Sequence, residues 1–166
     1  LADLLINAER PCILLGTQVW NCRGHEEATL LVRQLNIPAY FNGSGRGLLP
    51  PGDPHHFNRT RRMAFDKADV IVIVGTPFDF RMGYGRRLGR GADVVQIDQD
   101  YRTVGRNRDI ALGLVGHPGA ILGAVAQAAS GRADNRAKSR LAWMEELQDA
   151  EGKATDKLMP LFMSEN

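Results

Sequence analysis

The sequence predicts an α/β fold, a doubly wound, mostly parallel sheet of five to six strands with helices on both faces. Three observations carry this. Val70–Val74 is an unbroken β-branched run closed by Gly75, the pattern of a central strand buried on both faces. Four further apolar runs, Cys12–Leu15, Ile37–Phe41, Asp93–Ile97 and Ile110–Val115, share its length and close near a glycine or an acid. Between the runs lie segments with apolar residues at helical spacing, so strand and helix alternate.

In order, Leu1–Ala8 places Leu1, Leu4, Leu5 and Ala8 on one helical face and stops at Pro11. Cys12–Leu15 is the first strand. Gly16–Gly24 reads as a loop, and Gly24–Leu35 as a helix whose face carries Ala28, Leu31, Val32 and Leu35. Ile37–Phe41 is the second strand, followed by the glycine-rich loop NGSGRGLLPPG, in which His55 and His56 just beyond are expected to face solvent. Asn58 is placed to cap a helix over Arg59–Lys67. After the central strand comes a crossover in which Gly83, Gly85, Gly89 and Gly91 alternate with Arg86, Arg87 and Arg90. The arginines of this crossover and of the helix before the strand read either as a solvated face or as phosphate contacts. Pro118 opens a helix to Ala129, where its missing N–H is not needed. Ser130–Asn135 is a polar break, and Arg136–Glu151 a last helix with Leu141, Met144 and Leu147 apolar. This divides the chain into a domain over 1–130 and a helical linker or tail over 131–166.

With 166 residues the chain fits one domain, and 43% hydrophobic and 24% charged residues are ordinary for a globular one. A net charge of +2 does not point to nucleic acid, and no apolar run reaches the ~20 residues of a membrane span. Cys12 and Cys22 form neither a disulfide framework nor, with the four His, a metal set, and read as reduced thiols of a cytoplasmic protein. Leu1 is not Met, so the chain reads as a piece of something longer.

A parallel sheet binds ligands beyond the carboxyl ends of its strands. That edge gathers Gly16, Thr17 and Gln18 after the first strand and Gly43 and Ser44 after the second. Gly75, Thr76, Asp79 and Arg81 follow the third strand, and Asp98 ends the fourth. Glycine backbone and arginine suit phosphate, and an acid at a strand end suits ribose hydroxyls, with a turn cap as the plainer role for Asp98. A single glycine after the first strand does not meet the dinucleotide fingerprint. No catalytic set of nucleophile, base and acid is visible, so none is assigned.

Several motifs in one order resemble the central domain of thiamine-diphosphate-dependent enzymes of the acetolactate synthase-like group. They are Arg10-Pro11 before the first strand, Gly45-Arg46-Gly47-Leu48-Leu49-Pro50 with Asp53-Pro54, Arg61–Val70, Gly75–Arg81, and Gln96–Asp100 with Gly105-Arg106-Asn107. The resemblance implies a Rossmann-like, DHS-like NAD/FAD-binding sheet between pyrimidine- and diphosphate-binding domains. In the full-length parent those flanking domains would hold thiamine diphosphate and Mg2+, in a homodimer or homotetramer, and this piece alone would not be catalytic. The central site would take FAD or ADP/CoA. Pro77 and Thr103 depart from the flavin-binding pattern, which has Arg and Glu there. A parent of the 2-hydroxyacyl-CoA lyase or oxalyl-CoA decarboxylase type is the alternative, and a free-standing FAD or nucleotide-binding module of another class is a second. The apolar Leu158–Met163 segment is expected to self-associate or to be disordered.

Overall fold

A computed structural model describes residues 1–160. Five parallel strands form one sheet: β1 (Pro11–Leu15), β2 (Ala39–Phe41), β3 (Val70–Val74), β4 (Asp93–Asp98) and β5 (Leu112–Val115), in the order β2-β1-β3-β4-β5. Leu15 pairs with both Phe41 and Val74, and Val74 with Ile97, so the carboxyl ends of the four strands lie level. The chain leaves β1 toward β2 and returns past it to β3. The strand order therefore reverses between β1 and β3.

Side chains alternate across each strand and feed two cores. Ile13, Leu15, Val70, Val72, Val74, Val95 and Ile97 pack with α1 (Ala2–Asn7), α3 (His25–Gln34) and α5 (Pro118–Ala129). Cys12, Leu14, Ile71, Ile73 and Val94 face the other way, against α4 (Arg61–Lys67) and α6 (Ala137–Asp156). Both faces are covered, as the unbroken apolar runs require. Among the described residues no helix is long and apolar enough to cross a membrane.

Four local expectations are corrected. The loop after β1 contains a short helix, α2 (Thr17–Asn21), anchored by the fully buried Val19. Asn58 is not a helix cap. Thr60 occupies that position, and the N–H groups of Asn58, Arg59 and Thr60 donate instead to the Glu151 carboxylate of α6 at 2.9–3.0 Å. His55 and His56 are half-buried rather than solvent-facing. The ring of His55 bonds Asp53 and Asn36, and His56 stacks near Phe41, because residues 55–57 pair along the outer edge of β2. The face of α6 is also shifted. Arg140, Trp143, Met144 and Leu147 turn inward while Leu141 is 53% exposed.

α6 thus packs on the sheet. The buried Arg140 guanidinium donates to the Leu5, Ile6 and Ala8 carbonyls at the end of α1 and pairs with Asp134. The Trp143 indole N–H donates to the Pro11 carbonyl at 3.0 Å. The expectation for Leu158–Met163 falls partly outside the described residues.

Candidate functional site

At the reversal between β1 and β3 the two chains diverge, and a cleft of about 280 Å3 opens at the carboxyl edge. Thr17, Gln18, Asn42, Gly43, Gly75, Thr76, Pro77, Asp79 and Arg81 line it. Of the residues singled out from sequence, seven meet on this wall: Thr17, Gln18, Gly43, Gly75, Thr76, Asp79 and Arg81. Gly16 lies buried behind it, Ser44 stands exposed at the rim, and Asp98 sits at the end of β4, reached through Gln18. Asn42 and Pro77 were not among the expected site residues. The signal for Asn42 was its place directly after β2.

The glycines are set by geometry. Gly75 has φ +62, and a Cβ there would come within 2.5 Å of the Gln18 Cβ. A Cβ on Gly16 would lie 2.5 Å from the Gly75 carbonyl oxygen. Only glycines let the ends of β1 and β3 approach this closely. Gly43, with φ +54, turns the chain so that the Ser44 N–H donates to Thr17 Oγ1 at 3.2 Å.

Gln18 is the link across the sheet. Its Nε2 donates to Asp98 Oδ1 at 2.8 Å, and its Oε1 accepts from the Gln99 N–H at 3.0 Å. Asp98 Oδ1 also accepts from the Asp100 N–H at 2.8 Å, so the turn-cap role is filled. Asp98 is fully buried, and its Oδ2 has no partner among the described residues. An unpaired buried carboxylate oxygen is costly, which marks it as an acceptor awaiting a donor. On the opposite wall Arg81 forks onto Asp79, Nε at 3.0 Å and Nη2 at 2.6 Å, and the guanidinium holds the Asp79 carboxyl below the usual range. Among the described residues no three His, Cys, Asp or Glu side chains converge on a metal position.

The bare backbone at Gly43 and Gly75 and the Arg81 guanidinium line the cleft, and the unpaired Asp98 acceptor lies behind Gln18, a set that can hydrogen-bond hydroxyls and anionic oxygens. The volume lies just below the roughly 300–1,000 Å3 of whole-ligand pockets, so the cleft suits a portion of a ligand.

The sequence has relatives among known proteins. The family model described as "Thiamine pyrophosphate enzyme, central domain" matches residues 1–125. The chain is 40% identical over 157 residues to a probable acetolactate synthase of Mycobacterium bovis, which covers 93% of this chain and 27% of that protein. The acetolactate synthase large subunit IlvG of Mycobacterium tuberculosis matches to the same extent. A 2-hydroxyacyl-CoA lyase 2 of Bos taurus is 36% identical over 109 residues, 65% of this chain and 17% of the relative. The chain therefore spans about a quarter or less of the length of these relatives.

Proposed function

Because the chain belongs to the family of thiamine pyrophosphate enzyme central domains, we propose that it is the non-catalytic middle of an acetolactate synthase-like enzyme that forms or cleaves carbon–carbon bonds. The reach of the similarity supports the synthase over the lyase. It covers 93% of the chain in the mycobacterial synthases and 65% in the bovine lyase. Thiamine diphosphate, when bound by flanking regions together with Mg2+, would supply the electron sink for the bond made or broken beside a carbonyl. This chain would hold those regions in place within a cytoplasmic homodimer or homotetramer.

Its own ligand would be the adenosine diphosphate portion that ADP, CoA and FAD share. The observation that carries this is the unpaired, buried Asp98 Oδ2 behind Gln18 at the strand reversal. Ribose hydroxyls would donate to Asp98 once the Gln18 amide swings out, and Arg81 would leave Asp79 to meet phosphate. Gln18 is then a gate. Calorimetric titration with ADP, CoA and FAD tests it. Asp98→Asn should weaken ADP binding about tenfold, the value of one charge-assisted hydrogen bond, and Gln18→Ala should strengthen it. No binding of any of the three to the chain or to Gln18→Ala would leave the region a scaffold only.

The parent activity is tested separately, on the protein with its flanking regions. Thiamine-diphosphate-dependent condensation of 2-oxo acids is expected. Cleavage of 2-hydroxyacyl-CoA instead would place the parent with the lyases, and neither activity would overturn the reading.

A further inference from the structure

A second cleft, of about 600 Å3, lies on the α4 side of the sheet, between α4 and the segment Phe80–Arg90. Six arginines line it: Arg61, Arg62, Arg81, Arg86, Arg87 and Arg90. Asp66 is the one acid on its wall, 3.9 Å from Arg62, and Arg81 is paired with Asp79. Arg61, Arg86, Arg87 and Arg90 have no carboxylate partner among the described residues. A protein of net charge +2 has concentrated its cations here, against their mutual repulsion.

The segment that carries them is held in shape. The Arg108 guanidinium, itself partly buried, donates to the carbonyls of Gly85 and Leu88 through Nη1 and of Gly89 through Nη2, at 2.8–3.0 Å. The Gly89 N–H donates to the Phe65 carbonyl of α4 at 2.9 Å, tying the two walls together. Tyr84 is held at φ +55, a left-handed conformation that a side chain disfavours, next to Gly83 at +57 and Gly85 at +76. A merely solvated arginine face needs neither a guanidinium clamp on three carbonyls nor a strained tyrosine. Strain of this kind persists where surrounding structure enforces it, and it clusters at ligand sites.

We propose that this cleft is a preorganised site for an oligophosphate, two or more linked phosphoryl groups spanning the unpaired guanidiniums. Arginine's planar fork matches phosphate oxygens two at a time, and every cation on the wall is an arginine, with no lysine. The concavity is the size of a small-ligand pocket, which favours a small anion over a nucleic-acid duplex. The proposal stands apart from the nucleotide reading of the first cleft, since Arg81 alone is shared.

The test is calorimetric titration of the chain with inorganic phosphate, pyrophosphate and tripolyphosphate, and with ATP. Saturable one-to-one binding is expected, tightening with phosphate number and weakening as salt is added. Two double variants, Arg86→Gln/Arg87→Gln and Arg61→Gln/Arg90→Gln, should each weaken pyrophosphate at least about tenfold. A charge-matched control, Arg46→Gln/Arg106→Gln, should leave it unchanged. ATP binding no tighter than tripolyphosphate would identify the free inorganic anion as the ligand, and tighter ATP binding a nucleotide-borne phosphate chain. The proposal is overturned if pyrophosphate does not saturate, if the control weakens it equally, or if a duplex oligonucleotide or an acidic polypeptide competes more tightly than any oligophosphate. Since pyrophosphate carries no ribose, its binding succeeds or fails independently of the Asp98 test.

Discussion

Asp53 shows how much one carboxylate organises in the loop after β2. Its side chain is 3% exposed and accepts from Arg33 Nη2 at 2.7 Å, and from the N–H and ring of His55 at 2.9 and 3.1 Å. Burial pushes its titration up, but the bonds from Arg33 and His55 outweigh it and hold the group below the usual carboxylate range. A carboxyl held low adds stability above its unfolded pKa, about 3.9, and loses it as pH falls through the folded value. Asp53→Asn should therefore cost about 1–2 kcal/mol near neutrality. The gap between the urea midpoints of variant and parent should narrow as pH falls through the folded-state value, where the Asp53 carboxyl becomes neutral. A different lesson comes from Gly75. Alanine there must adopt φ +62 with its Cβ against Gln18, and should cost about 2–3 kcal/mol in the same assay.

Among the elements, α6 shows most clearly what the sequence could and could not reveal. Its existence was legible from helical periodicity, and α5 was legible to the residue because Pro118 starts it and the polar Ser130 stops it. The buried face of α6 was legible in part, since Met144 and Leu147 are expected from the sequence and are buried. A reading by hydrophobicity selects Leu141, yet the inward stripe is Arg140, Trp143, Met144 and Leu147, at spacings of three and four. Arg140 belongs there because three carbonyls at the end of α1 need donors, a demand set more than 130 residues away. α2 escaped notice because five residues are too few to show a period. The bond from Gln18 to Asp98 escaped because the sheet, not the sequence, brings positions 80 residues apart together. Glu151 gives a test of α6 as a clamp. Its carboxylate accepts from the N–H groups of Asn58, Arg59 and Thr60 and from the Thr60 hydroxyl. Glu151→Ala should cost about 1 kcal/mol, because the donors of buried Thr60 lose their partner while the exposed Asn58 and Arg59 N–H groups turn to water. Hydrogen exchange should speed up first at the amides of 58–60.

At the scale of the molecule, protection should follow position in the sheet. β1 and β3 are buried along their whole length and paired on both sides, whereas β5 ends the sheet with Val115 53% exposed. Native-state hydrogen exchange should find the slowest amides in β3 and fast, locally opening ones in β5. Slow exchange in β5 equal to β3 would mean that another strand or chain covers that edge. The strand order was not readable from the linear pattern, which fixes alternation but not neighbours. The Arg140 contact also governs how the molecule is made. Synthesis delivers α1 ahead of α6, and the guanidinium that satisfies its last carbonyls leaves the ribosome more than 130 residues later. Until then, the first helix of the chain emerges with its end unfinished, and one face of the growing sheet stays bare of Trp143, Met144 and Leu147.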